Sequence, residues 1–540
     1  MNAWLSILIF LPLVAMFALL LLPAAQKSTF RYLTLGVTLT QTLLFFAFVL
    51  PEFVSTLPDA QGFSIHEQVP WIRLDLGSLG EVVVQYHLGL DGMSLVMVML
   101  TLIVLPIAVL SSWKIEHRIK AYFSLFLLLD AALIGCFMAL DFFLFYIFYE
   151  LMLLPMFFLI GMWGGARREY AALKFFLYTL FGSVFMLLIM VGLAFSFTDP
   201  GLTAEAGHPV FTFSMLHMMP DAAGNFPNLV VDSVFSQGSV LLGVNARGLA
   251  FVVLFIGFAI KVPSVPVHTW LPDAHVQTPT PISVLLAAIL LKVGGYGIIR
   301  ICYQIFPQSA YDFSYLVAIM GLVSIIYGAL VAMSQKDFKA LIAYSSISHM
   351  GFVLLGMASL DPAGMNGAVF QMFNHGIIAA SLFLIVGVIA DRTNDRMIAN
   401  YSGLWGKMPH YAVVVIVAFF ASIGLPGLNA FVSEMLVFLG AFNASESVIM
   451  SWIPVIAVLG IVLAAVYYLR TFRRMFFGEY SYQDKSVVLQ DLNRREYLML
   501  VPLAVLMVLL GLLPSLVLDL SDASVSALTQ QIRTAIPLVP

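Results

Sequence analysis

The stretch GFAIKVPSVPVHTWLPDAH, residues 257–275, sets a lysine, Lys261, in an apolar run just before two prolines, Pro263 and Pro266. Each proline lacks a backbone N–H and clashes with the preceding turn, so a helix through this run must break. A break at membrane depth is tolerated only where protein or a water-filled cavity surrounds it. A charged side chain there costs about 2.5–3.5 kcal/mol on insertion scales, so it faces a partner or water. The stretch therefore predicts an interrupted membrane helix with a working lysine at its break.

The rest of the chain supplies the membrane setting. Of 540 residues, 61% are hydrophobic and only 10% charged, against about 25% charged in soluble domains. Such a chain cannot cover a water-facing surface. The net charge of −4 says little, because loop charges set orientation. The first apolar run, Ala3 to Pro23, is too long for a signal-peptide core and lacks a basic start, which predicts a retained helix. The two cysteines, Cys136 and Cys302, lie inside apolar runs. They are too few for an iron–sulfur cluster, which usually takes about four thiolates, and suggest no disulfide framework.

Apolar runs of bridging length predict fourteen spans, near 3–23, 30–50, 89–110, 121–140, 142–162, 170–196, 247–271, 281–305, 313–333, 337–357, 366–390, 411–441, 450–472 and 497–519. Two long polar loops, 51–88 and 197–246, interrupt them. The first holds Glu52, Asp59, Glu67, Asp75 and Glu81 against Arg73; the second holds Asp199, Glu205, Asp221 and Asp232. Basic residues gather in alternate connections: Lys27 and Arg31; Lys114, Arg118 and Lys120; Arg167, Arg168 and Lys174; Lys336 and Lys339; Arg392, Arg396 and Lys407; Arg470 to Arg495. Fourteen spans with both termini outside put all these clusters in the cytoplasm. Among the connections this count places in the cytoplasm, only 271–280 has neither Lys nor Arg.

A second break is predicted at SIGLPGLN, 422–429, in the twelfth span. The two breaks lie five spans apart. Spans four to eight and nine to thirteen then read as two five-helix repeats, and an odd span count inverts the second copy. The expected organisation is 1–120 for spans one to three with an external loop, 121–305 and 306–478 for the repeats, and 479–540 for span fourteen and a tail. The repeat is architectural: aligning Pro263 on Pro426 does not superimpose Lys261 on Glu434.

The ionisable residues well inside the spans are Asp130, Glu150, Lys261, Lys292, His349, His375 and Glu434. Taken singly, each could be a structural pair or a hydrogen-bonded core residue. Seven spread over spans four to twelve fit lateral proton transfer, with Lys261 as a switch. Burial disfavours the charged form of a lysine and a nearby carboxylate favours it. Arginine would not serve, because it keeps its proton. Other chemistries are poorly supported. GMWGGARR, 161–168, lacks phosphate-loop spacing. His268, Asp273 and His275 fit no usual zinc spacing and read as the polar end of span seven. No strand is expected, so no dinucleotide fingerprint follows one.

These residues carry a family resemblance. KVPSVPVHTWLPDAHVQTPTPISVLLAAILLKVGGYGIIR (261–300), DFFLFYIFYELMLLPMFFLIGMWGG (141–165), LDGMSLVMVMLTLIVLPIAVLSSW (90–113) and DFKALIAYSSISHMGFVLLG (337–356) resemble the antiporter-like subunits of respiratory complex I over nearly the whole chain. The resemblance implies a proton-translocating subunit of bacterial NADH–quinone oxidoreductase in the inner membrane. It implies a Glu150–Lys261 pair, Lys292 as the central lysine, His349 and more weakly His375 on a hydrated axis, and Glu434 on helix twelve, where other members carry lysine. Asp130 receives no role from it. No cofactor is expected in this chain; FMN, iron–sulfur clusters and quinone belong to partner subunits. Expected partners are other membrane subunits, including two antiporter-like neighbours of the L and N type, and the lipid bilayer, with no nucleic acid. A multisubunit cation/proton antiporter, a membrane-bound hydrogenase subunit and a non-pumping scaffold remain as alternatives at this stage.

Overall fold

The computed structural model describes residues 3–59, 62–221, 223–236, 238–241, 243–445, 448–482 and 489–535. Among the described residues, twelve helices are long and apolar enough to cross a membrane. Two further spans are each assembled from two shorter helices, Ala246–Lys261 with Trp270–Gln277 and Pro409–Ile423 with Asn429–Asn443. Together they account for the fourteen expected spans, in the expected order.

Both interruptions follow from local chemistry. Lys261 is the last residue of its half-helix. Around it, the last carbonyl groups of the half-helix accept from side chains beyond the break. Trp270 Nε1 donates to Ile260 O at 2.8 Å and Ser264 Oγ to Ala259 O at 3.2 Å. At the second break the chain turns at Gly424, whose φ of +79° suits glycine. A Cβ on Gly424 would also sit 2.5 Å from Glu434 Oε2, so the missing side chain leaves room for that carboxylate.

The eighth span (Thr280–Tyr303) and eleventh span (Pro362–Thr393) are buried along their whole apolar length, whereas the first, second and fourteenth are about one-third buried. The centre of the molecule is thus formed by the helices carrying Lys292 and His375. The ninth (Ser314–Ser334) and tenth (Phe338–Ala358) spans meet where Gly321 and Gly351 face each other. A Cβ on either glycine would lie within 2.9 Å of the other's carbonyl oxygen. Lipid provides no hydrophobic drive between helices, and close backbone packing of this kind replaces it.

Three expectations are corrected. First, no strand was expected, yet the 51–88 connection forms strands. β1 (Ile65–Asp75) pairs antiparallel with β2 (Glu81–Leu90), and β3 (Val210–Thr212) adds parallel to β2. The run Val82, Val83, Val84 is β-branched and buried, which favours a strand; the many polar residues of β1 obscured its partner. His87 in β2 is buried, and burial together with His66 and His217 holds its ring at a low pKa of about 4. It is a neutral core histidine beneath the hairpin.

Second, the fourteenth span is Arg494–Leu512 and does not extend to 519. Pro514 separates it from an amphipathic helix, Ser515–Ala535. That helix lies across the ends of spans three and eleven: Ser524 Oγ accepts from Gly92 N at 2.8 Å and Asp522 accepts from Asn366 Nδ2 at 2.7 Å. The segment read as a tail is therefore packed structure. Third, the 271–280 connection lacks basic residues of its own because neighbours provide them. Lys174 pairs with Asp273 at 2.7 Å, Arg396 donates to Val276 O at 2.8 Å, and Lys339 donates to Thr278 O.

Candidate functional site: a buried polar axis

The wide helical turn at Leu286–Leu290 prepares the position of Lys292. Such turns displace carbonyls from the regular ladder and recur at functional sites. Here the Ala287 carbonyl accepts from Lys292 Nζ at 2.7 Å. The same nitrogen lies 2.6 Å from His375 Nδ1 on the eleventh span. Lys292 is fully buried and forms no ion pair among the described residues. Its proton is shared with an imidazole and a backbone carbonyl, and no carboxylate fixes it.

The His375 ring centroid stands 5.7 Å from that of His349 on the tenth span. His349 Nδ1 lies 3.6 Å from Glu434 Oε1, and Nε2 lies 3.0 Å from Ser422 Oγ at the break of the twelfth span. Ser422 Oγ donates to Tyr468 OH at 2.8 Å, and Tyr468 OH donates to Ser345 Oγ at 3.1 Å. Beside them, Asn374 Nδ2 donates to Asn429 O at 3.0 Å, and Ser433 Oγ donates to Gln371 Oε1 at 2.5 Å. Lys292, His375, His349 and Glu434 are thus brought together as two close couples with a short gap between them.

Lys261 and Glu150 are arranged differently from a simple pair. Among the described residues, Lys261 Nζ is buried without a hydrogen-bond partner, and so is Glu150 Oε1. The ammonium lies 3.8 Å from the ring centroid of Tyr149, a cation–π contact. Glu150, the next residue, remains within electrostatic range of it. The lysine therefore rests on an aromatic face with its carboxylate one position away. Among the described residues nothing bonds Lys261 to Lys292. Asp130 lies apart from this axis: it accepts from Gln41 Nε2 at 3.2 Å on the second span, and its other oxygen is unpartnered among the described residues.

Three buried residues were missed in the sequence. His275, in the last turn of its helix, is fully buried, stacked on Phe383 at 4.4 Å, with both ring nitrogens unpartnered among the described residues. Lys339 is buried, on the wall of a cavity of about 280 Å³ with Thr278, Asp391 and Arg396. Arg300, near the end of the eighth span, pairs with Asp91 at 2.6 Å, both buried. Position near a span end concealed all three; for Arg300, an arginine inside an apolar run was the available signal.

Fourteen spans, two of them interrupted, and a row of buried lysine, histidine and glutamate between them define a membrane protein of the proton-transporter class. The chain belongs to the NADH:quinone oxidoreductase/Mrp antiporter transmembrane family, whose model matches residues 139–463. It is 42% identical to an NADH-quinone oxidoreductase subunit M from Rhodobacter capsulatus, over 98% of this chain and 97% of that one. Among solved structures it is similar to a chain of respiratory complex I from Thermus thermophilus with bound NADH, at 29% identity and a TM-score of 0.77, covering 97% of this chain and 99% of that chain. It shares its fold with a chain of the Mrp complex from Dietzia sp. at 20% identity and a TM-score of 0.77, covering 99% of each.

Proposed function

We propose that this chain is the M-type proton-translocating membrane subunit of an NADH–quinone oxidoreductase, coupling quinone reduction in other subunits to proton movement along the buried axis. The observation that carries this reading is the contact of Lys292 with His375, followed by His349 and Glu434, on helices buried from end to end. Lys292 holds a proton and passes it to His375 Nδ1. His375 then releases one toward His349, across a gap that one water or a ring rotation would bridge. His349 and Glu434 hold it at the far end. Lys261, moving between Tyr149 and Glu150, changes the field felt by Lys292. The partners are other subunits of the complex, with L- and N-type chains as the antiporter-like neighbours. FMN, iron–sulfur clusters and quinone reside in those other subunits. A cation/proton antiporter assignment has less support, because the similarity to the Mrp chain extends only to the fold.

The test is Glu434→Gln in the assembled complex, which keeps shape and removes titration. Removing a positioned acid–base group costs about a hundredfold or more in rate. The expected result is normal complex content with proton pumping reduced by about that factor, read as membrane potential in vesicles during NADH oxidation. Unchanged pumping would make Glu434 a structural hydrogen-bonding residue.

The proposed setting is a bacterial inner membrane, with both termini external, the 51–88 and 197–246 connections external and the 470–496 segment cytoplasmic. The two five-helix repeats would then be inverted copies, 121–305 and 306–478. Asp221→Cys should react with an impermeant thiol reagent from outside in intact cells. Reaction only after the cytoplasmic face is opened overturns this orientation.

A further inference from the structure

The hydrogen bonds around His349 can be resolved by counting hydrogens. Ser345 Oγ donates to the carbonyl of Ile342 at 2.7 Å. A carbonyl only accepts, so the single hydrogen of Ser345 is committed there. Ser345 must therefore accept from Tyr468 OH at 3.1 Å. That commits the phenolic hydrogen, so Tyr468 accepts from Ser422 Oγ at 2.8 Å. The hydrogen of Ser422 is committed in turn, and Ser422 can only accept from His349 Nε2 at 3.0 Å. Each step follows from a single hydroxyl hydrogen, and the tautomer is thereby assigned from the network.

We infer that Ser345, Tyr468 and Ser422 form a polarised hydroxyl chain that holds the proton on His349 Nε2 and dedicates Nδ1 to Glu434. This deepens the proposed function and rests on it. The chain ends on a carbonyl with nothing to pass on, so it positions His349 and does not conduct. Nδ1 lies 3.6 Å from Glu434 Oε1. With Nε2 occupied, Nδ1 is the ring atom left facing Glu434, and once the 3.6 Å separation closes to hydrogen-bond length the two exchange one proton: a protonated carboxyl beside a neutral ring, or a carboxylate beside an imidazolium. A ring with Nε2 free would lose that coupling. Three helices cooperate in the arrangement: the tenth carries Ser345 and His349, the twelfth Ser422 at its break, and the thirteenth (Trp452–Phe476) Tyr468. All four side chains are buried, so water does not compete for the bonds.

The test compares Tyr468→Phe and Ser422→Ala with Tyr411→Phe in the whole complex. Tyr411 is a buried tyrosine whose hydroxyl donates to Ile385 O at 3.0 Å, outside the chain. Tyr468→Phe frees the Ser422 hydrogen to donate to Nε2, reversing the ring's polarity. Loss of an orienting partner of this kind costs about 10–100-fold in activity. Turnover coupled to pumping should fall by about tenfold or more in Tyr468→Phe, at normal complex content. The double variant with Ser422→Ala should be no worse than the single, because both act through one ring. The spectroscopic readout is the infrared carboxyl band that disappears in Glu434→Gln. It should shift in Tyr468→Phe and Ser422→Ala and stay in place in Tyr411→Phe. If Glu434→Gln impairs pumping but Tyr468→Phe behaves as Tyr411→Phe, the pumping role stands and the hydroxyl chain is refuted. If the band shifts while Glu434→Gln pumps normally, the chain stands and the pumping role falls.

Discussion

Lys292→Ala is expected to lower quinone-linked NADH oxidation and pumping by about a hundredfold or more, the scale of a lost general acid–base group, while leaving the complex assembled. Assembly should survive because of how the lysine is held. Its nitrogen bonds to the Ala287 carbonyl and His375 Nδ1, with no carboxylate, so removing it leaves no opposite charge buried alone. What is lost is the only proton donor to His375 among the described residues. Lys292→Arg separates charge from titration: the guanidinium keeps a cation and does not release a proton. Its extra bulk in a fully buried site costs about 1–3 kcal/mol. Both variants should retain electron transfer to ferricyanide, which bypasses the quinone. Pumping in Lys292→Ala above half the wild-type rate, normalised to complex content, would remove Lys292 from the proton route.

The membrane fold was legible because its signal is local. A run of apolar residues and the prolines at 263, 266 and 426 are each read without knowing any distant neighbour. The span order and both breaks follow from them. The β-hairpin was not legible in the same way. Its stability comes from pairing β1 to β2 and from packing over His87, while β1 itself is mostly exposed and rich in polar residues. The Ser515–Ala535 helix was concealed by continuity, since an apolar run leads into it with only Pro514 to mark the change.

The site was legible as a set of residues and only partly as a set of contacts. A charged residue inside a span announces itself, which is why Lys261, Lys292 and Glu434 stand out. Which atom faces which depends on helix rotation, and composition does not report that. Glu150 and Lys261 were expected to pair, yet the ammonium lies on the ring of Tyr149. His375, weakly supported from sequence, is the direct partner of Lys292. Ser345, Ser422 and Tyr468 carry no charge, and in an apolar helix serine and tyrosine are common enough to pass unnoticed. Their meaning appears only when three helices align their hydroxyls.

Asp91→Ala should prevent accumulation of the assembled complex, and the reason lies at the Tyr303 end of the eighth span. Arg300 is completely buried, with Nη2 2.6 Å from Asp91 Oδ1, Nε donating to Tyr296 OH at 3.0 Å and Nη1 to Gln304 Oε1 at 3.1 Å. Asp91 also caps the third span, accepting from Ser94 N at 2.9 Å. Alanine there strands a buried guanidinium, which typically costs about 3–5 kcal/mol, and removes the cap, worth about 0.5–2 kcal/mol. Stabilities of folded proteins are about 5–15 kcal/mol, so the combined loss is a large share. Asp91→Asn retains the cap without the charge and should fall between. The double variant Asp91→Ala with Arg300→Met removes both charges, and replacing a buried ion pair with apolar groups is often neutral or stabilising. It should recover complex content and pump at the wild-type rate, because an arginine that keeps its proton conducts nothing. Complex content on native gels, then pumping per assembled complex, distinguishes the cases. Normal content of Asp91→Ala would show that the pair does not hold the third and eighth spans together. Recovered content without pumping in the double variant would place the pair on the proton route instead.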